Sequence, residues 1–124
     1  MSSRTKQRKT TSRGLCLRIR VVGVAGDALG PGKAQLLEEV AKTGSLREAA
    51  FRLEMSYMKA WRLAEAMNDN FRAPLLKKTR GGSKRGGTQL TELGRKALMT
   101  YQRMTSRAGQ AAQRDWKELS ALLK

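Results

Sequence analysis

The feature that most constrains this chain is a pair of helix-start signals eleven residues apart, at Ser45 and Ser56. Gly44 suits a left-handed cap that ends one helix. Ser45-Leu46-Arg47-Glu48 then reads as a capping box, in which the Ser45 hydroxyl accepts from the Glu48 amide while the Glu48 carboxylate reaches back. A second helix therefore starts one residue after the first ends, and two helices so close must cross steeply. Ala49 and Ala50 supply small surfaces for that crossing, with Leu46 and Leu53 completing a buried stripe. Glu54 and Met55 separate this short helix from the Ser56 cap. Beyond it Ala60, Leu63, Ala64, Met67 and Phe71 recur at helical spacing. The spacing predicts helix, tight turn, helix.

Upstream, residues 15–24 (LCLRIRVVGV) alternate, with Leu17, Ile19 and Val21 on one face, which predicts a half-buried strand. Cys16 lies on the more polar face without a base nearby in sequence and reads as a small packing residue. The stretch GDALGPGKA fails as a phosphate-binding loop, because Asp27 stands where its first Gly belongs and Ala34 where its hydroxyl belongs. It reads instead as a turn into a helix with Pro31 first, whose buried stripe is Ala34, Leu37, Val40 and Ala41.

Downstream, residues 68–74 break the helical pattern. Residues 75–80 form a candidate strand after Pro74, residues 81–87 (GGSKRGG) a flexible hairpin tip, and residues 88–90 a return strand. Thr91 can cap a last helix with an apolar stripe of Leu93, Ala97, Tyr101, Met104, Ala108, Ala112, Trp116, Leu119 and Leu123. About 30 helical residues span roughly 45 Å, more than a domain this small can cover. A second copy of the same helix is the simplest partner, and a helix folded back on its own domain is the alternative. Gly109 permits a bend.

These elements predict a mainly α fold with a small β wing: a winged helix-turn-helix over residues 15–90, a long C-terminal dimerisation helix over 91–124, and a disordered basic arm over 1–14. The arm serves solubility, non-specific phosphate contact, or both. The 26 Lys and Arg against 10 Asp and Glu give a formal +16, which calls for a polyanionic partner. Residues 72–91 hold six basic residues and no acid. The absence of His and the single Cys exclude Cys-His and Ser-His nucleophile pairs and multi-ligand zinc sites. No catalytic residue, metal site or enzyme activity is expected. No membrane span or signal segment is visible, so a cytoplasmic, nucleoid-associated bacterial location is expected, with no membrane partner.

In a winged helix-turn-helix the helix after the turn enters the DNA major groove. At 100° per residue, Met58, Arg62, Glu65 and Asp69 lie opposite the face centred on Ala60, with Lys59 and Trp61 flanking. The surface is cationic first and anionic last, so residues 56–62 should go deepest, with the positive end of the helix dipole toward the DNA. The candidate contacts are Ser56, Tyr57, Met58, Lys59 and Arg62 on this helix. Ser45 and Arg47 join them before the turn, and Lys78, Arg80, Lys84 and Arg85 from the wing, whose tip is expected to contact phosphate or insert in the minor groove. Arg62 can grip guanine bidentately, and Lys59 can do so or hold a phosphate. Tyr57 and Trp61 invite base stacking, but packing at the rim of the core explains them as well. The candidate dimer contacts are Leu93, Ala97, Tyr101, Met104, Trp116 and Leu119.

The motifs GPGKA, GS-x3-AA, MSY-x2-AW, MN and the GG-x3-GG wing occur together and in order over residues 17–104. In that combination the chain resembles the N-terminal DNA-binding domain of the ModE family, molybdate-responsive bacterial repressors, and more distantly that of LysR-type regulators. The resemblance implies a dimeric transcriptional regulator of molybdenum uptake or molybdoenzyme genes, its recognition segment beginning at Ser56-Tyr57 and its long helices carrying the dimer contact. Family members continue into an oxyanion-binding domain, whereas this chain stops at Lys124. No cofactor is therefore expected in it, molybdate included. The partners expected are double-stranded DNA and a second copy of the chain. The alternative is a non-specific nucleoid-type DNA-binding protein or an RNA-binding basic protein.

Overall fold

The computed structural model describes residues 14–79 and 87–124. Along the chain run β1 (Val21–Gly23), β2 (Gly26–Leu29), α1 (Pro31–Thr43), α2 (Leu46–Arg52), α3 (Tyr57–Asn70), β3 (Leu76–Thr79), β4 (Gly87–Leu90), α4 (Glu92–Ala111) and α5 (Gln113–Ser120). The strands form two antiparallel hairpins, β1 with β2 and β3 with β4. The architecture is a winged helix-turn-helix extended by C-terminal helices, as expected. Residues 80–86, and with them the expected wing contacts Arg80, Lys84 and Arg85, lie outside the described residues, as do residues 1–13 of the basic arm.

One core holds the helices together. Leu36, Leu37 and Val40 of α1, Met67 of α3 and Leu75 ahead of β3 are essentially sealed from solvent, and Ala49, Ala50 and Ala60 fill the tight crossings. Leu36 takes the place that the sequence pattern assigns to Ala41, which is exposed. The buried arc of α1 is shifted because α2 and α4 flank it on both sides. Glu39 pairs with Arg52 of α2 at 3.2 Å, and Glu38 accepts from Gln102 of α4 at 2.5 Å.

The helix boundaries follow their caps. Gly44 closes α1 at φ 72°, and the Ser45 and Ser56 hydroxyls accept from the Glu48 and Lys59 amides at 3.0 Å. The capping box is only half made. The Ser45 amide donates to the Thr43 hydroxyl at 3.2 Å, the partner expected of the Glu48 carboxylate. In the turn, Glu54 adopts φ 57°, a left-handed conformation that costs a residue with a Cβ roughly 1–2 kcal/mol.

The expected strand over 15–24 shortens to Val21–Gly23, and its partner is Gly26–Leu29, which the sequence reading made a turn. The alternation itself survives: Leu17, Ile19 and Val21 are half-buried, whereas Cys16, Arg18, Arg20 and Val22 are exposed. Residues 15–20 lack a strand neighbour and are held by α4. The Ile19 carbonyl accepts from the Tyr101 hydroxyl at 2.6 Å, and Leu17 lies against Gly109.

The long C-terminal helix divides at Ala112 (φ −88°, ψ −3°), three residues beyond the glycine where a bend was expected. Hydrogen bonds from the Ala112 amide to Ala108 and from the Trp116 amide to Ala112 carry the helical pattern across the break. Of the apolar stripe, Tyr101 is 7% exposed and belongs to the chain's own core, so its expected role at a dimer surface is corrected. Leu93 and Ala97 likewise pack against that core, beside the buried Leu98, which the stripe omitted. The first turns of α4 fold back on the domain through Leu93, Ala97, Leu98 and Tyr101, while Met99 and Met104 leave apolar surface open.

Candidate nucleic-acid interface

The first turns of α2 and α3 and the wing strands converge on one groove. Ser45, Arg47, Tyr57, Lys78, Gly87 and Thr88 line it. The wing reaches the groove by a close backbone contact: the Thr88 amide donates to the Gly44 carbonyl at 2.9 Å. A side chain at Gly87 would sit 2.8 Å from that carbonyl and from the Thr79 hydroxyl, so glycine is required there. Asn68 of α3 fixes the other end of the wing. Its carboxamide oxygen accepts from the Leu75 and Leu76 amides at 2.8 and 3.2 Å, and its nitrogen donates to the Leu76 carbonyl at 3.3 Å. The hairpin then pairs Leu76 with Leu90 and Lys78 with Thr88, which leaves Lys77 and Lys78 exposed.

The outward face of α3 follows the helical arithmetic. Met58 (54% exposed), Lys59 and Arg62 lie open at its start, and Glu65 and Asp69 toward its end. Trp61 is 40% exposed and Tyr57 half-buried, so both combine packing with a solvent-facing edge. The Arg47 guanidinium lies over the Tyr57 ring, 4.4 Å from its centroid. Among the described residues, none of Arg47, Lys59, Arg62, Lys77 and Lys78 has a carboxylate within 4 Å. The acids instead hold scaffold contacts, as in the pairs Arg20–Asp27 and Arg52–Glu39. The surface therefore presents uncompensated positive charge with the α3 N-terminus among it, an arrangement suited to phosphate and base edges.

Of the described residues expected from sequence, Ser45, Arg47, Tyr57 and Lys78 come together in this groove, Met58 and Arg62 lie exposed on α3, Ser56 caps it, and Lys59 borders a neighbouring cleft with Arg20 and Asp27. The sequence reading overlooks Lys77, Thr88, Gly87 and Asn68. The paired glycines at the end of the wing loop were the available signal for Gly87, whereas nothing local marked Asn68 as the wing's anchor. Met104, Trp116 and Leu119 lie away from this groove on α4 and α5, with Leu119 55% exposed and Trp116 half-buried. Among the described residues no group of His, Cys, Asp or Glu is placed to hold a metal ion, and no helix is long and apolar enough to cross a membrane.

Fold and groove together define a helix-turn-helix regulator, and the chain belongs to the family of bacterial regulatory helix-turn-helix proteins of the LysR type, whose model matches residues 32–95. That is a family of regulators rather than enzymes. The chain is also similar to molybdenum-related bacterial proteins. The chain is 38% identical over 76 residues to the molybdenum transport protein ModE of Azotobacter vinelandii, a match covering 61% of this chain and 28% of that protein. It is 38% identical over 73 residues to the transcriptional regulator ModE of Haemophilus influenzae, covering 59% and 29%. It is also 35% identical over 88 residues to the molybdenum-pterin-binding protein MopB of Rhodobacter capsulatus, covering 71% and 33%. The matches thus span about three-tenths of the length of these relatives. Among solved structures, the CbnR DBD–DNA complex superposes with a TM-score of 0.57 at 24% identity, covering 71% of this chain and 95% of that one. Full-length CbnR with its target DNA gives 0.53 at 25% identity, covering 68% and 27%.

Proposed function

We propose that this chain is a sequence-specific regulator of transcription that binds double-stranded DNA as a homodimer and represses genes of molybdenum uptake or molybdoenzymes. The first turn of α3 enters the major groove, where Arg62 reads a base edge and Lys59 a base or phosphate. Arg47 and Lys78 hold the flanking backbone. The observation that carries this reading is the set of exposed cations at the start of α3 and along the adjoining groove, Arg47, Lys59, Arg62 and Lys78, none with a carboxylate within 4 Å among the described residues. The names of the relatives support the molybdenum link, and the DNA in the CbnR structures supports a duplex partner. The exposed Met104 and Leu119 supply apolar surface for a second copy. The reading assigns no cofactor to this domain, and tight stoichiometric binding of molybdate or tungstate in calorimetry would contradict that.

The decisive experiment selects bound duplexes from random DNA and footprints the winner. Two protected half-sites about 34 Å apart are expected, with a preference of several kcal/mol over random duplex. Equal affinity for every duplex would replace this reading with a charge-only nucleoid-type protein, and preference for structured RNA with an RNA-binding one.

A further inference from the structure

Residues 93–114 contain five basic residues and no acid, and four of the five share one line. At 100° per residue Lys96, Arg103, Arg107 and Arg114 fall within about 40° of one another around the helix axis. They lie opposite the buried Gly94, Leu98 and Tyr101. All four are exposed, and none has a carboxylate within 4 Å among the described residues. Acids appear only at the two ends of the line, Glu92 at one and Asp115 and Glu118 at the other. The hydrogen bonds across Ala112 keep Arg114 in register with the rest.

This line is separate from both surfaces already described. No residue of it lines the groove of Arg47, Tyr57 and Lys78. Glu38 meets α4 and Glu39 meets α2, so α1 stands between the two. The exposed apolar residues Met104, Leu119 and Leu122 project about a quarter turn or more away, so a second copy covering them leaves the cations open, and Met99 lies on the flank of the line.

We propose that Lys96, Arg103, Arg107 and Arg114 form a second polyanion-binding face that takes the phosphate backbone of another DNA segment, so that the protein joins two duplex segments. The line extends about 27 Å, the rise of about eight base pairs, and matches a run of phosphates without needing a groove. Duplex DNA fits it better than an acidic protein. Protein interfaces concentrate their energy in buried aromatic and apolar anchors and deplete charge at their centre. Here polar Thr100 and Gln110 lie between the cations, and the apolar Met99 sits only at their flank. Base discrimination by α3 is not required, so this face stands or falls independently of the proposed operator recognition.

The test uses the whole chain, one immobilised duplex and a second, fluorescent duplex of unrelated sequence. Wild-type protein is expected to capture the second duplex in a salt-sensitive way. The variant R103Q/R107Q/R114Q is expected to lose about tenfold or more of that capture, while its affinity for a single short duplex stays within about threefold. A control with the same loss of charge, K42Q/K117Q/K124Q, is expected to behave as wild type, and circular dichroism verifies that both variants remain helical. The proposal is overturned if wild type captures no second duplex or if the stripe variant captures as much as wild type. It also fails if the control loses as much as the stripe variant, or if single-duplex affinity falls in step with capture.

Discussion

The guanidinium of Arg47 rests 4.4 Å from the centre of the Tyr57 ring, tying the first turn of α2 to the first turn of α3 across the helix-turn-helix. Both residues line the groove with Lys78, so the contact holds a cation at the mouth of the interface while leaving its charge without an acidic partner.

At a partly exposed site such a cation–π contact contributes about 0.5–1 kcal/mol. A double-mutant cycle of Arg47→Ala and Tyr57→Leu, read by urea denaturation, is expected to give a coupling of that size. Arg47→Ala should also lower the salt slope of duplex binding by about one. A coupling near zero would show that the ring merely lies nearby.

Arg62 and Lys78 should separate in their effects. Arg62→Ala is expected to relax base preference at one position per half-site and to cost about 1–3 kcal/mol. Lys78→Ala should weaken all duplexes alike and reduce the salt slope by about one. Affinities measured on operator and scrambled duplexes at several salt concentrations distinguish the two patterns, and their reversal would mean that the wing reads bases.

Gly94 and Gly32 make a contrasting pair. A side chain at Gly94 would collide with the Leu75 carbonyl, the same oxygen that accepts from the Thr91 amide at 2.8 Å. Gly94→Ala is therefore expected to destabilise the fold by about 1–3 kcal/mol. Gly32, in the first turn of α1, faces open space, and Gly32→Ala is expected to stabilise by about 0.4–1 kcal/mol. Urea midpoints of the two variants should move in opposite directions.

Tyr101 predicts an alkaline limit. Burial raises its hydroxyl pKa above the ordinary 10.0, against the lowering influence of Thr105 and Arg18. Above pH 10 the unfolded chain loses a proton that the folded chain still holds, so this contribution, fully present at lower pH, declines as pH rises toward the folded value. Tyr101→Phe is expected to cost about 0.5–1.5 kcal/mol at neutral pH through the lost bond to the Ile19 carbonyl, and to lack this part of the alkaline decline. Parallel urea curves for both proteins from neutral pH to above pH 10 measure the difference.

Where a feature depends on residues within one helical turn, it was legible in the chain itself. The caps at Ser45, Ser56 and Thr91, the left-handed Gly44 and the outward face of Met58, Lys59 and Arg62 all arise from hydrogen bonds or periodicity spanning a few positions. The short β1, with its partner Gly26–Leu29, was not legible, because a strand exists only when a second backbone supplies its bonds. The same limit hid Asn68, whose helical position says nothing about the wing amides it holds.

The succession of helices α1 to α4 and the positive character of the first turns of α3 were therefore determined by sequence alone, since each rests on local backbone preference or on charge. Tertiary structure decided that the early turns of α4 cover their own domain, that Tyr101 is a core residue bonded to Ile19, and that Gly44 receives the wing. These depend on which distant surfaces meet, and a periodic apolar stripe fits a neighbouring segment and a second copy equally well until packing selects between them.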